Sequence, residues 1–253
     1  MDFVLKEENG FSYIDEGEGD VLLLLHGLMG ALSNWSDVVE NFRSGYRVII
    51  PILPIYDLPL LTTGVKTLTK YVHKFVKHKK LNNITLLGNS LGGHVALIYV
   101  LSHPTLVRSM VLTGSSGLYE NAFGGSFPRR GSYDFVKEKV EYTFYDPNTA
   151  TKELIDDVYR IVNDRHSVIR ILAMAKSAIR HNMKKDLRKI TIPVSLIWGK
   201  NDKITPPEVA VEFHNELPHS ELNWIDNCGH AAMMERPEEF NIVLKRFLEK
   251  YKR

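Results

Sequence analysis

The sequence predicts an α/β fold in which a mostly parallel central sheet carries helices on both faces and a helical cap is inserted late in the chain. Three observations lead there. Short apolar runs alternate with helical patterns, the signature of βα units. The strongest run, Val21-Leu22-Leu23-Leu24-Leu25, shows no polar alternation, as expected of a strand covered on both faces. The rhythm breaks once, between about 117 and 190, where the pattern turns helical and no strand is evident.

In chain order, Phe11 to Asp15 alternates like a half-exposed strand and ends at the turn-rich Glu16-Gly17-Glu18-Gly19-Asp20. After the Val21–Leu25 strand, further strands are expected at Tyr46–Ile50, Ile84–Leu87, Met110–Leu112, Val194–Trp198 and Glu221–Ile225. From Val65 to Lys79, apolar Val65, Leu68, Val72, Phe75 and Val76 fall on one side and Lys66, Lys70, Lys74 and Lys77 on the other. That is an amphipathic helix lying on the sheet. Leu91 to Leu101 is apolar nearly all round and should be deeply covered; it stops at His103-Pro104. A last helix opens with Pro237-Glu238-Glu239 and ends in the cations from Lys250 to Arg253. The interruption opens with a glycine-rich loop, Gly124-Gly125-Ser126 to Gly131. Leu154, Ile155, Val158, Ile161 and Val162 then recur at helical spacing, followed by Ile169, Leu172, Met174 and Ala175. The expected division is a core of residues 1–116 and 191–253 with a cap of residues 117–190.

The chain has 253 residues, 44% of them hydrophobic and 25% charged, as in an ordinary globular enzyme. Its formal net charge of +2 makes no global case for nucleic acid or an anionic membrane as partner. Basic clusters such as His78-Lys79-Lys80 and Lys184-Lys185 read as solvated helix ends. The single cysteine, Cys228, excludes an intramolecular disulfide. The first residues lack a basic leader followed by an apolar stretch, and Val21–Leu25 is far too short to span a bilayer. The expectation is a cytoplasmic protein, monomer or homodimer, acting on a small molecule. No metal-ligand pattern and no dinucleotide fingerprint is present, so neither metal nor cofactor is expected.

Chemistry concentrates in Gly88-Asn89-Ser90-Leu91-Gly92, followed by Gly93, between a buried strand and a buried helix. A serine on a sharp strand-to-helix turn needs neighbours without a Cβ, and the turn lifts its hydroxyl to the N-terminus of the helix. A phosphate-binding loop would need Gly-Lys-Ser/Thr at its end, and Gly93 is followed by His94. A serine hydroxyl needs a base. His230, in Asn227-Cys228-Gly229-His230, follows the last expected strand, and Asp202, in Gly199-Lys200-Asn201-Asp202, follows the one before. Ser, Asp and His in that order, each on a loop after a strand, suit a nucleophile, an orienting acid and a base. Asp226 is the rival acid, but only four positions before His230 it better serves its own turn. His26-Gly27-Leu28-Met29-Gly30 follows the most buried strand. The backbone amides of Leu28 and Leu91 are therefore the expected oxyanion hole, with His26 organising the turn. His94 reads as a satisfied core histidine and Cys228 as a small filler. Met29, Met233 and Met234 are candidates for an adaptable apolar pocket.

Taken together, His26-Gly27, Gly88-x-Ser90-x-Gly92, Gly199-x-x-Asp202 with Pro206-Pro207, and Gly229-His230 resemble the α/β-hydrolase superfamily over nearly the whole chain. The resemblance implies the α/β-hydrolase fold, with a cap between strands six and seven that sets substrate choice. Gly88-Asn89-Ser90-Leu91-Gly92-Gly93, Phe144-Tyr145-Asp146 and Glu153-Leu154-Ile155 are similar to the meta-cleavage product hydrolases, which cut carbon–carbon bonds in vinylogous diketones. Two positions depart from that subgroup. Ala231 stands where an aromatic residue usually follows the histidine, and Val158 aligns with the cap arginine that binds the substrate carboxylate. The segment Pro51-Ile52-Leu53-Pro54-Ile55-Tyr56-Asp57 also replaces the Asp-x-x-Gly-x-Gly turn of many relatives.

The expected activity is hydrolysis of a carboxylic ester with a small or medium apolar acyl group, through an acyl-enzyme on Ser90. Two alternatives stay open: a carbon–carbon bond hydrolase using the same residues, and a small-molecule sensor that keeps the hydrolase shape.

Overall fold

The computed structural model describes residues 3–30, 35–119 and 129–252, so the expected glycine-rich Gly124–Ser126 and the terminal Arg253 lie outside the described residues. Among the described residues, eight strands form one sheet in the order β1-β2-β4-β3-β5-β6-β7-β8. They are β1 Lys6–Glu8, β2 Phe11–Glu16, β3 Asp20–Leu25, β4 Tyr46–Pro51, β5 Ile84–Asn89, β6 Val107–Thr113, β7 Val194–Gly199 and β8 Ser220–Ile225. Strands β3 to β8 are mutually parallel, and β1 and β2 are antiparallel additions at one edge. The parallel strands follow from the chain returning over a face of the sheet between one and the next.

Alternation along β3 shows why Val21–Leu25 had to be apolar throughout. Leu23 and Leu25 face a core shared with α2 (Val65–His78), α3 (Leu91–Ser102) and α7 (Pro207–Glu216). Leu22 and Leu24 face the opposite core, shared with α1 (Ser36–Phe42) and α9 (Pro237–Lys250). A strand buried on both sides has no position left for a polar residue. The strand β1, which apolar patterning gave no reason to expect, is Lys6-Glu7-Glu8, all exposed. It exists because Asn9 (φ 50°) and Gly10 (φ 79°) close a tight hairpin onto β2.

Between β6 and β7 the described residues form three longer helices, α4 Tyr133–Glu141, α5 Lys152–Asn163 and α6 Arg165–Arg180. Each starts at a side-chain cap: Ser132 accepts from the Phe135 amide, Thr151 from Leu154, and Asp164 from Ser167. Helix α5 turns Ile155, Val158 and Val162 inward. In α6 the apolar residues noted at helical spacing divide between two faces. The buried line is Val168, Ile171, Met174 and Ala178, whereas Ile169 and Leu172 face outward. The helix has apolar residues on both faces, so spacing alone allowed two phases.

Lys79 also departs from expectation. Rather than being a solvated helix end, it stands 3.6 Å from both Asp15 and Glu8 and 4.6 Å from the centre of the Tyr13 ring. Lys184 is exposed and paired with Glu212, but it lies in a turn beyond the end of α6 at Arg180 rather than at a helix end. Among the described residues no helix is long and apolar enough to cross a membrane.

The turn after β3 is organised by His26, which is buried. Its Nδ1–H donates to the Gly27 carbonyl at 2.9 Å, and its Nε2 accepts from the Leu53 amide at 2.9 Å. These bonds require the neutral ring. Burial pushes its pKa below the ordinary histidine range, against a smaller opposing effect of the Gly27 bond. On the alkaline side of about 6.5 both folded and unfolded chains hold this ring neutral. As pH falls through that value the unfolded chain takes up a proton that the folded chain refuses, so stability is lost on the acid side. Urea unfolding across this range should therefore give a steeper acid loss for the parent than for His26→Gln; parallel profiles would refute the assignment.

Candidate active site

The residues singled out above converge at the carboxyl ends of the parallel strands, where α/β sheets place their ligands. Ser90 directly follows β5, Asp202 comes three residues after β7, His230 five after β8, and the Gly27–Gly30 turn follows β3. Ser90 has φ 54° and ψ −120°, a left-handed conformation unusual for a residue with a side chain. The turn is pinned on both sides. The Ser90 amide donates to the Thr113 carbonyl at 3.2 Å, while the Ser90 carbonyl accepts from Gly93, His94 and Ser116. A Cβ on Gly92 would fall on the Leu25 carbonyl, and one on Gly88 would lie 2.6 Å from the Gly92 carbonyl. Those two glycines are there for close approach.

Asp202 and His230 are both buried and joined, with Nδ1–H donating to Oδ2 at 2.9 Å. The other carboxylate oxygen accepts from the amides of Ile204 (2.8 Å) and Thr205 (2.9 Å). The Thr205 hydroxyl, 3.2 Å from His230 Nδ1, donates to Oδ2 at 2.8 Å. Four donors thus hold one carboxylate facing the ring. The rival Asp226 points into solvent and pairs with Lys200 at 2.6 Å. The described hydrogen bonds do not join the ring to the Ser90 hydroxyl, but both side chains line the same cavity.

That cavity encloses about 940 Å³ of empty space, counted to its open mouth. Leu28 and Leu91 line it, and neither of their amides is engaged by a backbone carbonyl in the described hydrogen bonds. Leu91 opens α3, where a helix has no partner for its amides. Met29 and Met234 line the cavity as expected. Met233 does not: it is 1% exposed and packs into the core with α1 and α9, because successive residues of the short helix α8 (Ala232–Glu235) face different ways. The inserted helices supply the facing wall through Val140, Leu154, Val158, Met174 and Ala178. No lysine or arginine lines the cavity among the described residues.

Several residues at the site were not anticipated. Thr205 is one, and nothing but its place after Asp202 could have signalled it. Glu235 is another: its two carboxylate oxygens accept from the amides of Gly229 and Asp146, each at 2.6 Å, tying the His230 loop to the insertion. His230 itself donates its amide to the Thr143 carbonyl at 2.9 Å. The segment Pro51–Asp57 gains a role, since besides Leu53 it provides Tyr56, whose hydroxyl donates to the Leu28 carbonyl at 2.8 Å. Cys228 is fully buried, and burial pushes its thiol pKa up, consistent with a small filler. His94 is buried on α3, 3.1 Å from His181.

Comparison with known proteins accords with this geometry. The family model described as alpha/beta hydrolase fold matches residues 20–184 and 165–237. An α/β hydrolase enzyme from the metagenome of sediments of the Mar Chica lagoon, Morocco, has a solved structure 46% identical to this chain, with a TM-score of 0.81 and 98% of each chain covered. A 2-hydroxy-6-oxononadienedioate/2-hydroxy-6-oxononatrienedioate hydrolase from Pseudomonas sp is 27% identical over 98% of this chain and 95% of its own length. The meta-cleavage product hydrolase of Pseudomonas fluorescens, 21% identical with a TM-score of 0.83 and 95% of each chain covered, shares the fold. The resemblance to the meta-cleavage product hydrolases noted in the sequence therefore holds at the level of the whole chain. The chain belongs to the α/β-hydrolase fold family.

Proposed function

We propose that this protein is a serine hydrolase that opens an apolar, uncharged acyl substrate through an acyl-enzyme, with an ester as the favoured substrate class. The observation that carries this reading is the cavity itself. Ser90 and His230 share its wall, and the rest is apolar or neutral, without a lysine or arginine among the described lining residues. In the proposed reaction His230 takes the Ser90 proton as the oxygen attacks the substrate carbonyl. The amides of Leu28 and Leu91 receive the negative charge of the tetrahedral intermediate. His230 then protonates the leaving group, and a water activated by the same ring releases the acid and restores Ser90. Asp202 keeps the ring's Nδ1–H side occupied, so that Nε2 is the basic nitrogen, and stabilises the imidazolium.

A second reading, hydrolysis of a carbon–carbon bond in a vinylogous diketone, is favoured by a different observation. The name of the Pseudomonas relative is that of a dienedioate hydrolase, and other curated relatives of similar identity carry names of the same kind. Against it stands Val158, which lines the cavity and which the resemblance sets at the position of the subgroup's carboxylate-binding arginine. The chemistry on Ser90 and His230 would be shared by both readings; the leaving group differs.

Assays with short p-nitrophenyl esters beside a ring-cleavage dienone separate the two. Multi-turnover ester hydrolysis is expected, with Ser90→Ala lowering kcat by at least about 10⁴-fold and abolishing labelling by a fluorophosphonate probe. A strong preference for the dienone would reverse the order of the two readings. Labelling without turnover on either substrate would point to a sensor.

Thr205 is proposed as a positioning residue, acting through Asp202. Thr205→Val removes one hydrogen bond to a charged group, worth about 1.5 kcal/mol, so kcat should fall about tenfold. KM should stay unchanged and Thr205→Ser should restore the rate. A change in KM alone, or no rescue by serine, would contradict the assignment.

A further inference from the structure

The outward face of α6 is not that of an ordinary surface helix. Arg165, Ile169, Leu172, Lys176 and Ile179 recur every three or four residues, which places them along one stripe. Leu172 is 41% and Ile179 58% exposed. The segment before α2 runs beside this helix. Arg170 donates to the Leu58 carbonyl at 2.7 Å, and the Val65 amide donates to Ser177 Oγ at 3.2 Å. Between those two ties, Leu60 and Leu61 come to the surface, Leu61 fully exposed. Single exposed apolar residues need no explanation, but an aligned set extended by a neighbouring loop does.

Charge sharpens the picture. Helix α2 carries four lysines, α6 carries four arginines or lysines, and neither contains an aspartate or glutamate. The exposed Lys66, Lys70, Arg165, Lys176 and Arg180 form no ion pair with any described residue. The nearest acids in sequence are Asp57, before the loop, Asp164, which is occupied as the α6 cap, and Asp186, which pairs with Lys189 at 2.6 Å. An apolar stripe flanked by unpaired cations has the chemistry of a helix that lies in the headgroup region of a membrane. Its leucines and isoleucines enter the acyl boundary while the long cationic side chains reach back to phosphate.

From this we infer that α6, the Leu60–Leu61 loop and the start of α2 form a docking surface for an anionic lipid bilayer. The opposite side of α6 supplies Met174, Ala175 and Ala178 to the cavity wall, so docking would bring that wall to the membrane. The inference does not depend on the reaction proposed above.

Co-sedimentation of the full chain with vesicles tests it without any need for turnover. Binding is expected to mixed phosphatidylcholine and phosphatidylglycerol vesicles, weak to pure phosphatidylcholine, and reduced by high salt. Lys66→Ala/Lys70→Ala/Lys176→Ala should weaken partitioning about fivefold per cation removed. Leu61→Asp/Leu172→Asp, both at exposed positions, should weaken it at least about tenfold, with an unchanged thermal midpoint confirming the fold. Equal binding to both vesicle types, no sedimentation with either, or insensitivity to the leucine changes would overturn the proposal. So would concentration-dependent dimerisation in light scattering that the leucine changes abolish, since that assigns the stripe to a second copy of this chain.

Discussion

The first turn of α3 presses against the end of β3 with no side chain between them, and the geometry of the whole carboxyl edge depends on that approach. It is possible only because position 92 lacks a Cβ that would otherwise occupy the Leu25 carbonyl. Once the two backbones meet, Ser90, the free amide of Leu91 and the Gly27–Gly30 turn are forced into one small space. The turn is then held from its far side by His26 on Leu53 and by Tyr56 on Leu28. Both far-side contacts come from the segment Pro51–Asp57, through the Leu53 amide and the Tyr56 hydroxyl.

The inserted helices are not an independent lid placed above this edge. The His230 amide rests on the Thr143 carbonyl, and Glu235 joins the amides of Gly229 and Asp146. A Cβ on Gly229 would lie 2.6 Å from that same Thr143 carbonyl, so its absence is a condition of the contact. The loop bearing the imidazole and the segment after α4 are therefore one hydrogen-bonded unit. The same insertion sets the buried Val158 in the cavity wall, where an uncompensated carboxylate of a bound molecule would be strongly disfavoured.

Much of this is legible in the sequence, for identifiable reasons. Most strands of the parallel sheet are short apolar runs, and Ser90, Asp202 and His230 each lie within five residues of a strand's carboxyl end, so the parallel sheet brings them to one edge. Steric signals were also readable, since the glycines at 88 and 92 mark a crowded turn. What escaped notice depends on pairings between distant segments. The Leu53 amide is an ordinary backbone group until β4 brings it to His26. Glu235 is one acid among many until the chain folds its loop against Asp146. Lys79 seemed a solvated helix end because its partners Asp15 and Tyr13 lie more than sixty positions away. Met233 and Met234 are adjacent in sequence and differ only in direction, which no composition rule can supply.

Helix α6 joins an ambiguity of sequence reading to the least expected surface of the molecule. A helix that buries one face and wets the other shows a single apolar stripe, and its phase can be read from spacing. Two apolar stripes make that phase indeterminate, so the helical spacing of Ile169, Leu172, Met174 and Ala175 does not say which of them is buried. The second stripe is therefore a property of the sequence to be explained, rather than noise in its reading. Net charge conceals the accompanying signal in the same way. A total of +2 averages the cations of α2 and α6 with acids on other elements, although these two helices are far apart in the chain and adjacent in the fold. Burial accounts for Val168, Ile171, Met174 and Ala178, and the cavity uses two of them. It cannot account for Leu172 and Ile179, whose exposure is a standing cost unless something apolar covers them. Cations aligned among them give that covering surface a sign, which is negative.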